Sequence, residues 1–166
     1  FNTAWYIANN HFDVNSAYLS KVGDDQLSEE MLQFMSDNRV DIKYVKKVTG
    51  STTGLYLISL VNGERTFSYW RNNSAAKLLA QSPDDLENAM KEQDIIYFSG
   101  ITLAILDTNS RENLFSSLKL ARHAGTKIAF DPNIRPKLWT DRNEMCEVIM
   151  AGANLSDIIL PSFEDE

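Results

Sequence analysis

Residues 94–131 decide the fold class: Asp94-Ile95-Ile96-Tyr97-Phe98-Ser99-Gly100, then a stretch with Leu114, Leu118 and Ala121 at helical spacing, then Gly125 and Lys127-Ile128-Ala129-Phe130-Asp131. The two flanking runs are short, almost continuously apolar, and carry no internal alternation, the pattern of strands buried on both faces. The segment between them has a helix face, and Gly125 supplies the residue type that closes a helix. Strand, helix and strand in that order predict a parallel crossover unit.

The same rhythm extends outward. Met145, Val148 and Ile149 mark a further helix face, and residues 157–160 a last strand. Upstream, Ser82-Pro83-Asp84-Asp85 reads as an N-cap, a proline at the first helical position and an acidic first turn. Ser28, followed by Glu29 and Glu30, reads as the cap of an earlier helix running to about Asn38, with Leu27 and Leu32 at the staple positions. Residues 17–22 read as a short strand, and Ala4, Trp5, Ile7 and Ala8 as a first helix face. The expected fold class is therefore α/β, a parallel sheet flanked by helices.

Residues 40–71 interrupt the rhythm, being rich in Val, Ile, Tyr, Thr and Phe, with Asn62-Gly63 between two such runs. That dipeptide is the strongest short hairpin signal, so this stretch is expected to form a small antiparallel excursion. A two-residue turn pairs Val61 with Glu64, Ile58 with Phe67, Tyr56 with Tyr69, and Gly54 with Arg71. Because side chains alternate faces, Tyr56, Ile58, Phe67, Tyr69 and Arg71 share one surface and Leu55, Leu57, Ser68 and Trp70 the other. Two phenols and a guanidinium fork suit a small hydroxylated acid. An ordinary half-buried sheet with aromatic cross-strand pairs satisfies the same pattern. The second face calls for cover, by another subunit or by the rest of the chain.

The loop Asp131-Pro132-Asn133-Ile134-Arg135-Pro136-Lys137-Leu138-Trp139 follows a strand, at the edge of a parallel sheet where ligands bind. Its prolines stiffen it around Arg135. Arg135 there is placed to hold a phosphate or carboxylate, or is a plain surface arginine; Asp131 is a loop cap or a catalytic acid. His11 and His123 lack metal-ligand spacing, and Cys146 beside Met145 is expected in the core. No phosphate-binding loop, dinucleotide fingerprint or serine elbow is present.

Composition narrows the function classes. The 166 residues carry a formal net charge of −7, which argues against nucleic acid as partner. No apolar run approaches the roughly 20 residues needed to cross a bilayer, so no membrane role is expected. One cysteine excludes an internal disulfide and fits a cytoplasmic location. The chain opens without Met, in a helical pattern, and ends just after an apolar strand, so a fragment is expected.

Four stretches closely resemble the 2-keto-3-deoxygluconate kinases: Thr53-Gly54-Leu55-Tyr56-Leu57-Ile58, Gly63-Glu64-Arg65-Thr66-Phe67-Ser68-Tyr69-Trp70-Arg71, Ser99-Gly100-Ile101-Thr102-Leu103-Ala104-Ile105-Leu106, and the loop from Phe130 to Trp139. These kinases are ribokinase-like sugar kinases of the phosphofructokinase-B type, and the resemblance runs through the whole chain in order. It implies a ribokinase-like parallel sheet with a β lid at about residues 40–72 of a partial domain 1–166. It also implies ATP- and Mg²⁺-dependent phosphorylation of the sugar acid at O6, and a homodimer formed through the lid. By resemblance, Asn2, Tyr56, Tyr69, Arg71 and Arg135 bind substrate. Asn133 and Arg135 lie near the transferred phosphate, where Arg135 would stabilise charge. The family's catalytic aspartate and its glycine-rich anion hole have no match, so these residues alone are expected to be inactive. The magnesium-associated motif would fall near Ser162 and Asp165, where neither of its residue types is kept. A fructokinase, and a non-catalytic domain that binds sugar acids or dimerises, are the alternatives.

Overall fold

The structure is a computed structural model describing residues 1–11 and 13–162; Asp165 lies outside the described residues. It divides into two compact units, residues 1–79 and 80–166.

In the first unit, α1 (Asn2–Asn10) and α2 (Gln26–Asp37) accompany β1 (Ser20–Val22), β2 (Val45–Lys47) and the hairpin β3 (Leu55–Val61) and β4 (Glu64–Trp70). Its core gathers Ala8, Met35 and Val40, with Trp5, Tyr18, Met31 and Ile42 packed around them. The Trp5 indole N–H donates to Asn38 Oδ1 at 2.9 Å, so the one polar atom of a large apolar ring is satisfied at the rim of that core. The first strand is shorter than the sequence predicts: only Ser20–Val22 pairs as a ladder, with an isolated bridge from Ala17 to Asp41. Val45–Lys47 pairs parallel with β1, so β1, α2 and β2 form a crossover unit. The antiparallel part of residues 40–71 is thus confined to β3 and β4.

The cap of α2 is Asp25, not Ser28: Asp25 accepts the Ser28 N–H at 2.8 Å, and Ser28 is buried inside the first turn. Leu27 is exposed rather than a staple.

In the second unit, α3 (Pro83–Met90) starts as expected, with Ser82 accepting the Asp85 N–H and Pro83 in the first turn. There follow β5 (Ile95–Ser99), α4 (Gly100–Ile105), α5 (Thr108–His123), β6 (Lys127–Asp131), α6 (Arg142–Leu155) and β7 (Ile158–Ile159). All pairings in the order β5-β6-β7 are parallel. Phe130, Leu86, Leu103, Leu118 and Ile128 are fully buried, and the Phe98 and Phe130 rings meet at 4.7 Å. Gly125, at φ +105°, reverses the chain after α5 and lets Thr126 N–H reach the Ala121 carbonyl.

Two expectations are corrected here. β5 is not buried on both faces: Ile95 is 53% exposed and Tyr97 is also exposed, while Phe98 is covered. Ile95 and Tyr97 share one face of the pleat and Phe98 lies on the other, so only one face of β5 meets the core. Cys146 is exposed, because the buried stripe of α6 is Met145, Ile149, Gly152 and Leu155, and the next residue along turns about 100° away.

Aspartates hold the element ends. Asp157 accepts the Ile128 N–H at 3.0 Å and two N–H groups of Arg122 at 3.1 and 3.0 Å. The Ile128 N–H, then Arg122, holds its carboxyl below the ordinary carboxylate range. Asp107, capping α5, is lowered by its bonds to Ser110. A carboxyl with a depressed folded-state pKa stabilises the fold above its unfolded pKa, about 3.9, and loses that effect as pH falls through the lower folded value. The urea midpoint is therefore expected to fall steeply below about pH 4. In Asp157→Asn that acid-side decline should be shallower.

Candidate functional site

The hairpin register is the one Asn62-Gly63 predicts: Val61 opposes Glu64, Ile58 opposes Phe67 and Tyr56 opposes Tyr69. Asn62 and Gly63 both take positive φ, at 54° and 84°, the geometry that matches the twist of two antiparallel strands. On the predicted face the Phe67 and Tyr69 rings stack at 6.0 Å, and Tyr56 lies 6.4 Å from each. Arg71 is half-buried just past the end of β4. Its guanidinium carbon lies 4.4 Å from the Tyr69 ring centroid and 5.9 Å from that of Tyr56.

This arrangement has chemical content. A guanidinium lying over a ring face keeps its N–H edge available while the ring quadrupole holds its plane. Gly54 precedes β3 close to Ser74: a Cβ there would sit 3.2 Å from the Ser74 hydroxyl oxygen and in ordinary contact, at 3.8 Å, with Arg71 Cγ. Tyr56 and Tyr69 are 52% and 56% exposed, so rings and hydroxyls remain open to a ligand. The face offers a fork for a carboxylate beside two apolar walls with polar tips.

The structure brings Tyr56, Tyr69 and Arg71 together. Asn2 is the exposed first residue of α1 in the same unit. Asn133 and Arg135 belong to the second unit, on the loop after β6. Asn133 sits at φ +37°, in the left-handed region asparagine tolerates. Arg135 is exposed and donates from Nη1 to the Ile134 carbonyl at 2.9 Å. Asp131 accepts the Tyr97 hydroxyl at 2.8 Å, tying β6 to β5 at their carboxyl ends. The loop presses on the start of α4: a Cβ at Gly100 would lie 1.9 Å from the Pro132 carbonyl oxygen. His11 and His123 are exposed, and among the described residues no three His, Cys, Asp or Glu side chains sit together as a metal cluster.

Sequence reasoning missed Arg111 and the aspartates at the hairpin root. Arg111 donates to the Leu103 carbonyl at 2.8 Å, pairs with Glu144, and lies over the Trp139 ring at 4.8 Å. It joins α4, α5, α6 and the end of the Arg135 loop, through partners remote in sequence. The only advance signal was an arginine inside a helix.

The pattern described as pfkB family carbohydrate kinase matches residues 1–166. A 2-dehydro-3-deoxygluconokinase (a synonym of the 2-keto-3-deoxy name) from Haemophilus influenzae is 38% identical over 99% of this chain and 54% of its own length. A fructokinase from Vibrio alginolyticus is 30% identical over 90% of this chain and 48% of its own length. A sugar kinase from Pyrococcus horikoshii, solved in complex with ATP, superposes with a TM-score of 0.80 at 26% identity, over 95% of this chain and 50% of its own length. The chain spans about half the length of the curated relatives it matches. The fold class is ribokinase-like α/β, parallel strands flanked by helices with an antiparallel hairpin. No described helix is long and apolar enough to cross a membrane. With the family pattern running from the first residue to the last, this chain belongs to the pfkB family of carbohydrate kinases.

Proposed function

We propose that this chain carries the substrate-recognition part of a cytoplasmic kinase that phosphorylates 2-keto-3-deoxygluconate at O6 with ATP. The observation that carries this is Arg71, held 4.4 Å over Tyr69 with Tyr56 alongside on an exposed hairpin face. The carboxylate of a sugar acid matches a guanidinium fork with two charge-assisted hydrogen bonds, whereas a neutral sugar offers it only uncharged hydroxyls. The similarity to the Haemophilus influenzae protein supports the same substrate.

In this mechanism Arg71 grips the carboxylate and the tyrosines orient the sugar, with Asn2 a further sugar contact. ATP supplies the γ-phosphoryl group. As the O6–phosphorus bond forms, the bond to the β-phosphate oxygen breaks and ADP leaves; the O6 proton passes to a base that has no match in these residues. Arg135, with Asn133 beside it, stabilises charge on the transferred group. The described residues offer no clustered acidic seat for Mg²⁺, so no step is assigned to the metal. Residues 1–166 act as part of one ribokinase-like domain, with the hairpin of β3 and β4 as its lid, narrower than the expected 40–72 because Val45–Lys47 pairs parallel with β1.

Leu55, Leu57 and Trp70, on the other hairpin face, are 45%, 55% and 56% exposed. A second copy of the chain covers them in this proposal. Leu57→Glu is expected to convert a dimer to a monomer in light scattering; a monomeric parent would remove the dimer from the proposal.

The function is tested by a coupled ATP assay on the full-length protein carrying this chain, with 2-keto-3-deoxygluconate and with fructose. Preference for the acid is expected, and no turnover from residues 1–166 alone. Equal or better turnover of fructose would move the assignment to fructokinase.

A further inference from the structure

The hairpin is long, and every residue of both strands is exposed. Its orientation must therefore be set where its two ends enter the first unit. At that root the chain makes a dense set of contacts. Asp25 accepts the Ser28 N–H through Oδ1, capping α2, and accepts the Thr52 hydroxyl through Oδ2. Asp24 accepts the Gly50 N–H with both oxygens, at 3.2 and 3.3 Å. The Thr53 hydroxyl donates to Met31 Sδ on α2 at 3.3 Å. The other end is stitched to the first: Thr52 bridges Ser74, and the Ala75 N–H donates to the Thr52 carbonyl at 2.9 Å. Gly23 permits the close approach, since a Cβ there would meet the Ser51 carbonyl oxygen at 2.2 Å.

We propose that Asp25 is a positioning residue, a latch that acts through Thr52 to fix the hairpin's angle on α2 and so places Tyr56, Tyr69 and Arg71. One carboxylate holds both the start of the helix and the root of the hairpin. A bond lost at the root is magnified at the tip, because both strands beyond residue 54 are exposed along their whole length within the chain. The consequence for ligand binding rests on the sugar-acid function proposed above; the mechanical part does not.

The test separates the two. Spin labels are placed at Arg65→Cys on β4, beside the hairpin turn, and Gln33→Cys on α2, in a Cys146→Ser background, and the distance distribution is measured by pulsed EPR. Thr52→Val removes the hydroxyl but leaves the Asp25–Ser28 cap, so α2 survives. The distribution is expected to broaden at least twofold in Thr52→Val and in the less bulky Thr52→Ala, and to keep its parent width in Thr52→Ser. An unchanged width in Thr52→Val or Thr52→Ala would overturn the latch, as would broadening in Thr52→Ser. In parallel, the dissociation constant for 2-keto-3-deoxygluconate should rise several-fold in Thr52→Val and recover in Thr52→Ser. Broadening in a parent that binds no sugar acid would leave the latch standing and remove the functional proposal instead.

Discussion

Replacing Arg71 with alanine is expected to raise KM for 2-keto-3-deoxygluconate by about 10- to 100-fold in the full-length protein and leave fructose kinetics nearly unchanged. A hydrogen bond to a charged partner contributes about 1.5–3 kcal/mol, a factor of roughly 10 to 150 in binding. The upper part of that range requires both arms of the fork to engage a carboxylate. Arg71→Lys keeps the charge but not the fork, and should fall between the two. The fold should tolerate either change. What Arg71 gives the hairpin is its position over Tyr69 and Tyr56, worth about 0.5–1 kcal/mol at an exposed site. A matching loss for acid and neutral sugar would mean that Arg71 supports the hairpin rather than reading the substrate.

Gly100→Ala is expected to destabilise the protein by about 2 kcal/mol, read as a lower urea midpoint. Gly100 opens α4 directly after β5. An added Cβ would lie 1.9 Å from the Pro132 carbonyl oxygen and 2.7 Å from Ile149 Cδ1. Ile149 can turn, but the Pro132 carbonyl belongs to a backbone stiffened by Pro132 and Pro136, with Asp131 held by Tyr97. Overpacking of this kind costs about 1–3 kcal/mol, and the smaller entropy of an unfolded alanine offsets about 0.4–1 kcal/mol of it. Because the displaced segment carries Asn133 and Arg135, turnover in the full-length protein should fall by more than stability alone explains. An unaltered midpoint would show that the loop moves aside freely.

The hairpin was the most legible part of the sequence, because a two-residue Asn-Gly turn leaves one register and a period of two then assigns every face. Arg71 and the tyrosines followed from that arithmetic alone. The cap of α2 was not legible. Asp25 and Ser28 are both good caps, and what distinguishes Asp25 is Thr52, 27 residues away. Nor could apolar content show which face of β5 is covered: Ile95 and Tyr97 read as core, yet they share an open face while Phe98 on the opposite face is buried. Val45–Lys47 carries little strand signal of its own and owes its place to the parallel partner Ser20–Val22. Cys146 was misplaced by one position on α6, which on a helix is the difference between core and solvent.

The most direct measurement is a calorimetric titration of this chain with 2-keto-3-deoxygluconate and, separately, with fructose. Saturable binding of the acid that is lost in Arg71→Ala, with no heat from fructose, is the predicted result. Equal binding of both sugars, or acid binding indifferent to Arg71, would contradict the assignment of this hairpin face to a sugar acid.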